Sequence, residues 1–577
     1  MKGIPCSSGM ALAKPHIIEA LSFDISRRAV SNADEEARRF AEAAAKTSGR
    51  IEAELSTLNA ERDKDTYTIR KAHLSMLDDP DLLDGVSELI CGESVCAEYA
   101  VHTVISEMAE ELESVEDELI RARAADLRDV ESELLQTLTG LLAKNSQALT
   151  GDVVIVAHEI TPAFFITAKK ECIKGIICEE GSTTSHIAIL CRANGIPAVF
   201  GIDNAVDLLA DSDYVFLNGT SGEVEYSISP ERKAKLEELI SQANALKESL
   251  ALFKDPPGKT KDGKPVMVAA NIGGYKDACK ANKTGAEGVG LYRTEFMYME
   301  CSDLPSEELQ YENYVKVLDA LDGKEVTIRT LDAGGDKAIS GIQQEPEQNP
   351  FLGVRAIRLC LANEDLFLTQ LRALLRAGAG HNLKIMIPMI GGVEELRKTK
   401  QLLQTAKKQL EERGAEYASN IRLGIMIEVP AAAICADMLA KEADFFSIGT
   451  NDLTQYIMAA DRNNSGVANI YSEFNPAVLQ MVAHVIQAAH ANGIPVCVCG
   501  EFAGNPLAVP FLVGWGIDEL SVSPSIILKL KKILSCITFP EAEAIAKKAL
   551  QFDTAKETKE FLRSSLEELG LGSILLI

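Results

Sequence analysis

A multidomain α/β chain ending in a (β/α)8 barrel is predicted by three observations. After residue 260, eight apolar runs alternate with helical stretches: PVMVAANI, GVGLYRTE, VTIRTLDA, KIMIPMI, RLGIMIEVP, DFFSIGTND, PVCVCGE and DELSVSP. Eight β/α repeats in about 270 residues predict a closed barrel. Between about Gly151 and Tyr226 the pattern is different, with short β-rich runs (DVVIVA, IKGIICEEG, IPAVFG, YVFLNG) separated by glycine turns. Between about Ser31 and Leu142 the chain is charged, poor in glycine and apolar at 3/4 spacing. There Ile105, Met108, Leu112, Val115 and Leu119 are predicted on one helix face, and helices of this kind form a bundle.

The boundaries follow from these changes of pattern. The first twenty residues are apolar and rich in Gly and Pro, like the β-rich region. Residues 1–22 and 146–227 are therefore expected to form one small α/β domain, with a helical bundle, 23–145, inserted into it. A polar helical segment from Ser229 to Phe253 runs into DPPGKTKDGK, a Pro/Gly/Lys-rich stretch that marks a linker. Residues 228–257 are read as a linker helix and 258–577 as the barrel.

Composition excludes several classes. A formal charge of −27 disfavours nucleic acid and anionic membranes as partners, although it also simply confers solubility. Thirteen scattered cysteines without a CxxC pair fit reduced thiols, neither a disulfide framework nor a zinc site. No apolar run approaches the roughly 18–20 residues of a membrane span, and the start MKGIPCSSGMALAKPHIIEA lacks the apolar core of a secretory signal. A cytoplasmic location without membrane insertion is expected.

Polar residues collect at the ends of the barrel runs: Asn271, Arg293 with Glu295, Arg329 with Asp332, Glu428, Asn451 with Asp452, and Cys499. In a barrel those ends form one mouth, where active sites lie. Glu428 and Asp452 end adjacent predicted strands, and hard oxygen donors of this kind suit Mg²⁺ or Mn²⁺. Either acid alone could equally cap a loop or pair with an arginine. Arg293, Arg329, Arg355 and Arg462 share the same phase, and their planar forks bind phosphate and carboxylate bidentately. Each arginine alone is an ordinary surface or ion-pair residue; the four together with two acids make a site for a small, highly charged anion. A metal plus several arginines is the equipment for phosphoryl transfer. The GxxxxGK[ST] loop is absent, so ATP is not the expected donor.

A second cluster is Gly181-Ser182-Thr183-Thr184-Ser185-His186, running into IAIL and Cys191-Arg192. A glycine turn, small hydroxyl residues and a helix start offer N–H and O–H groups to an anion. A histidine there can act as a nucleophile through its neutral imidazole. Taken alone it reads as a satisfied turn histidine.

The segment GSTTSHIAILCRANGIPAVFG resembles the phosphohistidine signature of phosphoenolpyruvate-utilising enzymes. GVGLYRTEFMYM, RTLDAGGDK, NPFLGVRAIR, GIMIEVP, FFSIGTNDLTQYIMAADRNN and VCVCGEFAGNP resemble that family's active-site segments in the same order. Within it the chain is similar to enzyme I of the bacterial phosphoenolpyruvate-dependent sugar phosphotransferase system, over nearly its whole length. The resemblance implies that His186 is phosphorylated by phosphoenolpyruvate and passes the group to a histidine-containing phosphocarrier protein. It implies Mg²⁺ on Glu428 and Asp452, substrate held by Arg293, Arg329, Arg355 and Arg462 with Asn451 assisting, and Cys499 as the acid that protonates the enolate carbon to give pyruvate. It also implies a swinging histidine domain, carrier docking on the bundle, and a homodimer through the barrel. Cys497, two residues before Cys499, is expected on the other side of the strand with a structural role. Ser182 stands where the family usually has a second glycine, and keeps the turn only if its φ is negative or the left-handed cost is tolerated.

Overall fold

The computed structural model describes residues 1–18, 23–57, 64–113, 118–140, 149, 151–160, 164–165, 168–182, 185–299, 301, 303–334, 341, 347–462, 464–467 and 469–576. They divide into two compact units, Met1–Gln242 and Ala243–Leu576.

Seven strands form the sheet of the first unit: β1 (Ile4–Ser7), β2 (Met10–Ile18), β3 (Val153–Ala157), β4 (Ile173–Cys178), β5 (Ala198–Phe200), β6 (Val215–Asn218) and β7 (Glu223–Glu225). Their order is β1-β5-β4-β3-β2-β6-β7, with β2, β3, β4 and β5 parallel. The four runs predicted here are β3 to β6; β1, β2 and β7 complete the sheet. Alternation splits the core in two, since Val153, Ile155 and Ala157 of β3 face one apolar cluster and Val154 and Val156 the other.

Between β2 and β3 the described residues make five helices: α1 (Ala33–Thr57), α2 (Lys64–Leu77), α3 (Pro80–Glu93), α4 (Ala97–Glu113) and α5 (Glu118–Thr139). Pro80 opens α3 behind Asp79, whose side chain accepts the Asp81 N–H. The bundle core gathers Phe40, Ile51, Val86, Ile90, Val101, Ile105, Val130 and Leu134. Fully buried Arg70 pairs there with Glu54 at 2.6 Å and Glu133 at 2.5 Å. The single face expected for Ile105 to Leu119 is corrected. α4 ends at Glu113, with Ile105 buried and Met108 and Leu112 packed beside it, and a new helix starts at Glu118. Val115 and the Leu119 side chain lie outside the described residues. A 3/4 pattern can run on across a break because it reports apolar spacing, not hydrogen bonding.

In the second unit all eight predicted runs are strands: β8 (Met267–Ile272), β9 (Val289–Arg293), β10 (Val326–Arg329), β11 (Leu383–Ile387), β12 (Arg422–Ile427), β13 (Phe446–Ile448), β14 (Val496–Val498) and β15 (Glu519–Val522). They pair in parallel in chain order, and β15 on β8 closes the barrel. Residues facing outward pack against the helices in one large core. The interior holds a small, sulfur-rich layer: Leu291, Met386, Met426, Phe445, Cys497 and Cys499. Cys497 therefore shares the inner face with Cys499, against expectation. Residues two apart on a strand point the same way, because the side-chain period is two.

Below that layer, at the strand starts, a charged plug fills the barrel. Lys384 is 4% exposed, pairs with Glu325 at 2.5 Å and lies 4.7 Å over the Phe445 ring. Arg422 also pairs with Glu325, and Glu519 stands 3.9 Å from Lys384. Above the layer lies the mouth. Among the described residues no helix is long and apolar enough to cross a membrane.

Candidate active site

Arg329 ends β10 and is 5% exposed. It donates to Glu295 at 2.7 Å and pairs with Asp332 at 3.0 Å. Arg355, 1% exposed, donates to the same Asp332 at 3.0 Å and to Asp452 at 3.3 Å. Arg462 stands 3.7 Å from the other oxygen of Asp452. Glu295, Arg329, Asp332, Arg355, Asp452 and Arg462 thus form one chain of alternating charge around the mouth. Arg293 closes β9 half-buried, and its charge acts on the Cys499 thiol. All four predicted arginines meet here. The Nε–H groups of Arg329 and Arg355 are buried and have no hydrogen-bond acceptor among the described residues.

The backbone is bent to hold this arrangement. Ala356, directly after Arg355, has φ 50°, and its N–H donates to Ala333 O at 2.9 Å. Gly334 has φ 95°, and a Cβ there would fall 2.6 Å from Val354 O, so only glycine lets the Asp332 and Arg355 loops meet. Met389 has φ 56° and turns its N–H onto Glu428 Oε1 at 2.6 Å. Non-glycine residues in this region cost about 1–3 kcal/mol each and gather at functional sites.

Glu428 follows β12 and is 1% exposed. Burial first, then the carboxylates of Asp452 and Asp332, push its carboxyl up from the usual range, against the pull of Arg329 and Arg355. Asp452 lies in the first turn of the helix Thr450–Met458 that follows β13, so the two predicted metal ligands do converge. The charge of Asp452 acts on the buried Glu428 carboxyl, and that closeness is what fits a cation. Two buried hard-oxygen donors facing each other suit a divalent cation, and at Gly449 a Cβ would come 2.8 Å from Glu428 Oε2. Among the described residues no three His, Cys, Asp or Glu side chains form a ready metal site, so substrate and water would supply the other oxygens. The ion-pair alternative for Asp452 holds as well, through Arg355 and Arg462.

Cys499 follows β14 and is 2% exposed. Its Sγ lies 3.7 Å from Ile448 O, the acceptor of the thiol proton. Burial pushes the thiol up to about 11, with Ser447, Arg329 and Arg293 pulling the other way. It is protonated at neutral pH, as an acid must be. Asn271 Nδ2 donates to Cys499 O at 2.9 Å, while its Oδ1 accepts from Ser521 at 2.7 Å. Asn451 Oδ1 accepts the Glu501 N–H at 2.9 Å, so its amide oxygen serves the Cys499 loop and its NH₂ is the group suited to substrate.

His186 is the first residue of the helix His186–Asn194; its side chain, and Thr183 and Thr184 altogether, lie outside the described residues. Ser185 caps this helix, accepting the Ala188 N–H at 3.4 Å and donating to Ser182 O at 2.9 Å. The turn is made by Gly181 at φ 122°, with Phe200 2.9 Å from a built Cβ. Ser182 is not among the described residues with positive φ, so the serine costs the turn nothing.

Sequence reasoning missed the partners more than the players. Glu295 and Asp332 carried a strand-end signal but no sign of which arginine each holds. Ser521, Tyr456, which accepts from Arg355 at 3.4 Å, and Glu473 carried no signal.

Family models describe the same division of labour. Residues 247–539 match the phosphoenolpyruvate-binding domain of phosphoenolpyruvate-utilising enzymes, 2–123 their N-terminal domain and 149–222 their mobile domain. The phosphoenolpyruvate-protein phosphotransferase of Bacillus sp. (strain S) is 43% identical over 561 residues, 97% of this chain and 97% of its own length. The chain belongs to this family. Membership makes it a transferase. Its relatives of the same description in Geobacillus stearothermophilus and Bacillus subtilis (strain 168) are 42% and 41% identical over 97% and 98% of the chain, and 97% and 100% of their own lengths. A solution structure of Enzyme I (nEIt), 31% identical, covers 42% of this chain and 99% of its own with a TM-score of 0.37.

Proposed function

We propose that this phosphotransferase takes the phosphoryl group of phosphoenolpyruvate onto His186, releases pyruvate, and passes the group to the histidine-containing phosphocarrier protein, the first step of the sugar phosphotransferase system. The observation that carries this reading is the mouth itself. A protonated, buried thiol stands beside arginines that buried carboxylates hold in place around one mouth.

Arg293, Arg329, Arg355 and Arg462 bind the phosphate and carboxylate of the substrate, and the Asn451 amide assists. A ring nitrogen of His186 attacks phosphorus; the bond from phosphorus to the enol oxygen breaks and leaves the pyruvate enolate. The Cys499 S–H gives its proton to the enolate carbon, and the resulting thiolate regains a proton from solvent. Glu428 and Asp452 would hold Mg²⁺, or Mn²⁺ in its place, which when bound neutralises charge on the transferring group. The carboxylates already offset the arginines, so without a cation the mouth offers a polyanion little net attraction.

In this reading residues 1–22 and 146–227 form the phosphohistidine domain, 23–145 the carrier-docking bundle, 228–257 the linker and 258–577 the substrate-binding and homodimer-forming barrel. The location is cytoplasmic, where substrate and carrier both reside, and nucleic acid has no part.

The test is incubation with labelled phosphoenolpyruvate and Mg²⁺, without ATP. An acid-labile, base-stable phosphoprotein whose label moves to added carrier is expected, and His186→Ala should abolish it. Labelling that persists in that variant would sink the assignment.

A further inference from the structure

Glu473 lies in the loop before the helix Pro476–Ala491, in a stretch, YSEFNP, that announces no chemistry. One oxygen of its carboxylate, Oε1, accepts from the Thr450 hydroxyl at 3.0 Å and from the Phe502 N–H at 3.1 Å. These partners belong to the two loops on which the proposed chemistry depends. Thr450 opens the helix that carries Asn451 and Asp452, and Phe502 comes three residues after Cys499. The loops are pressed together: a Cβ on Gly500 would fall 1.9 Å from Thr450 Oγ1. A second bond spans them, from Glu501 N–H to Asn451 Oδ1 at 2.9 Å. Tyr471, two residues before Glu473, donates to the Asn451 carbonyl at 3.1 Å. The 471–473 segment therefore backs the Asp452 loop twice and the Cys499 loop once.

An apolar side chain could fill this space without the cost of desolvating a carboxylate. Glu473 moreover faces the like charge of Glu501, only partly offset by Lys559. What an apolar residue could not do is accept two hydrogen bonds from two different loops at one atom. A neutral amide would do it as well as a carboxylate, which separates bridging from charge.

We propose that Glu473 is a positioning residue that staples the Cys499 loop to the Asp452 loop, setting the distance from the proton donor to the substrate carbon. This rests on the reading of Cys499 as the donor. Glu473 touches no reacting atom and acts through Thr450 and Phe502.

The experiment compares Glu473→Ala, Glu473→Gln, Thr450→Val and Cys499→Ser in the full-length protein with Mg²⁺, phosphoenolpyruvate and the histidine-containing phosphocarrier protein in excess. The readouts are kcat, KM and the solvent deuterium isotope effect on pyruvate release. Glu473→Ala should lower kcat at least about 10-fold with KM changed by less than about 3-fold, as expected of a misplaced reacting group. Its isotope effect should rise, because proton delivery becomes limiting; a merely loosened fold would not raise it. Glu473→Gln should recover to within about 3-fold of the native kcat, its amide oxygen still accepting both bonds. Thr450→Val removes one of the two bonds without touching Glu473, and should raise the isotope effect even if Glu473→Ala fails to fold. An unchanged kcat in Glu473→Ala, Gln as impaired as Ala, or a fall in kcat with no change in isotope effect would each overturn the proposal. Full turnover by Cys499→Ser would instead overturn the donor reading beneath it. Loss there with none in Glu473→Ala would overturn the staple alone.

Discussion

Replacing Asp332 distinguishes arginines that are held in place from arginines that are merely neutralised. Its carboxylate is 2% exposed and takes Arg329 on one oxygen and Arg355 on the other, each at 3.0 Å. Asp332→Asn keeps the shape and removes the charge between two buried guanidiniums. Stripping one partner from a buried ion pair costs about 3–5 kcal/mol. Here each arginine keeps a second carboxylate, Glu295 or Asp452, which places the expected loss near the lower end, about 3 kcal/mol. Urea unfolding followed by the fluorescence of Trp515, the one tryptophan of the chain and part of the barrel, reads that loss. The effect on turnover has opposite sign in the two accounts. If Asp332 only cancels charge, the variant mouth is one unit more positive, and phosphoenolpyruvate binds more tightly and reacts at least as fast. If Asp332 orients the guanidiniums, kcat falls by about 10- to 100-fold while KM moves little. We expect the second outcome, measured as steady-state pyruvate release with carrier in excess. A lower KM with undiminished kcat, or an unchanged urea midpoint, would refute the reasoning.

Cys499→Ser should slow pyruvate release by about 100-fold or more while calorimetric binding of phosphoenolpyruvate survives; unchanged turnover removes the thiol as the acid. Since burial raises that thiol to about 11, the native enzyme should lose no activity to its ionisation between pH 7 and 9, and a loss centred near the ordinary thiol value would contradict the burial. Chelating divalent metal should stop autophosphorylation yet leave transfer from already phosphorylated enzyme to carrier; equal failure of both would place the metal elsewhere. Burial and Glu501 raise the Glu473 carboxyl from 4.5 to about 7 despite its bonds from Thr450 and Phe502 and the charge of Lys559. A raised carboxyl stabilises the fold below its unfolded value and loses that contribution as pH climbs through the folded one. Glu473→Gln should therefore gain stability relative to the native chain between pH 5 and 8 by urea unfolding, and a constant difference would show that the carboxyl is not shifted.

The barrel was legible because parallel strands buried on both faces read as unbroken apolar runs, and polar residues at their ends mark one rim. The residue set of the mouth was legible for the same reason. The pairing within it was not, since Arg355 meets Asp452 across 97 positions and no local pattern encodes that contact. Glu473 was illegible because one acid in a turn-rich loop looks like any other. The break between α4 and α5 escaped because the apolar spacing runs through it. The charged plug of Lys384, Glu325 and Glu519 escaped because each residue lies in the first two positions of a strand or just before one, where charge is unremarkable.

The helical bundle leaves the sheet after β2 and returns at β3, the strand that pairs with β2 in parallel, Lys14 against Val153 and Ile18 against Ala157. To the sheet, five helices amount to a single crossover. The entropy of closing such a connection grows only with the logarithm of its length, so a long excursion costs little more than a short one. Once the bundle has folded on its own core, its two ends are tethered and most of that cost has already been met. The two neighbouring strands need only an anchored pair of ends, whatever lies between them. Surface changes on α1 to α5 can therefore accumulate without disturbing the register of the strands beneath the His186 helix.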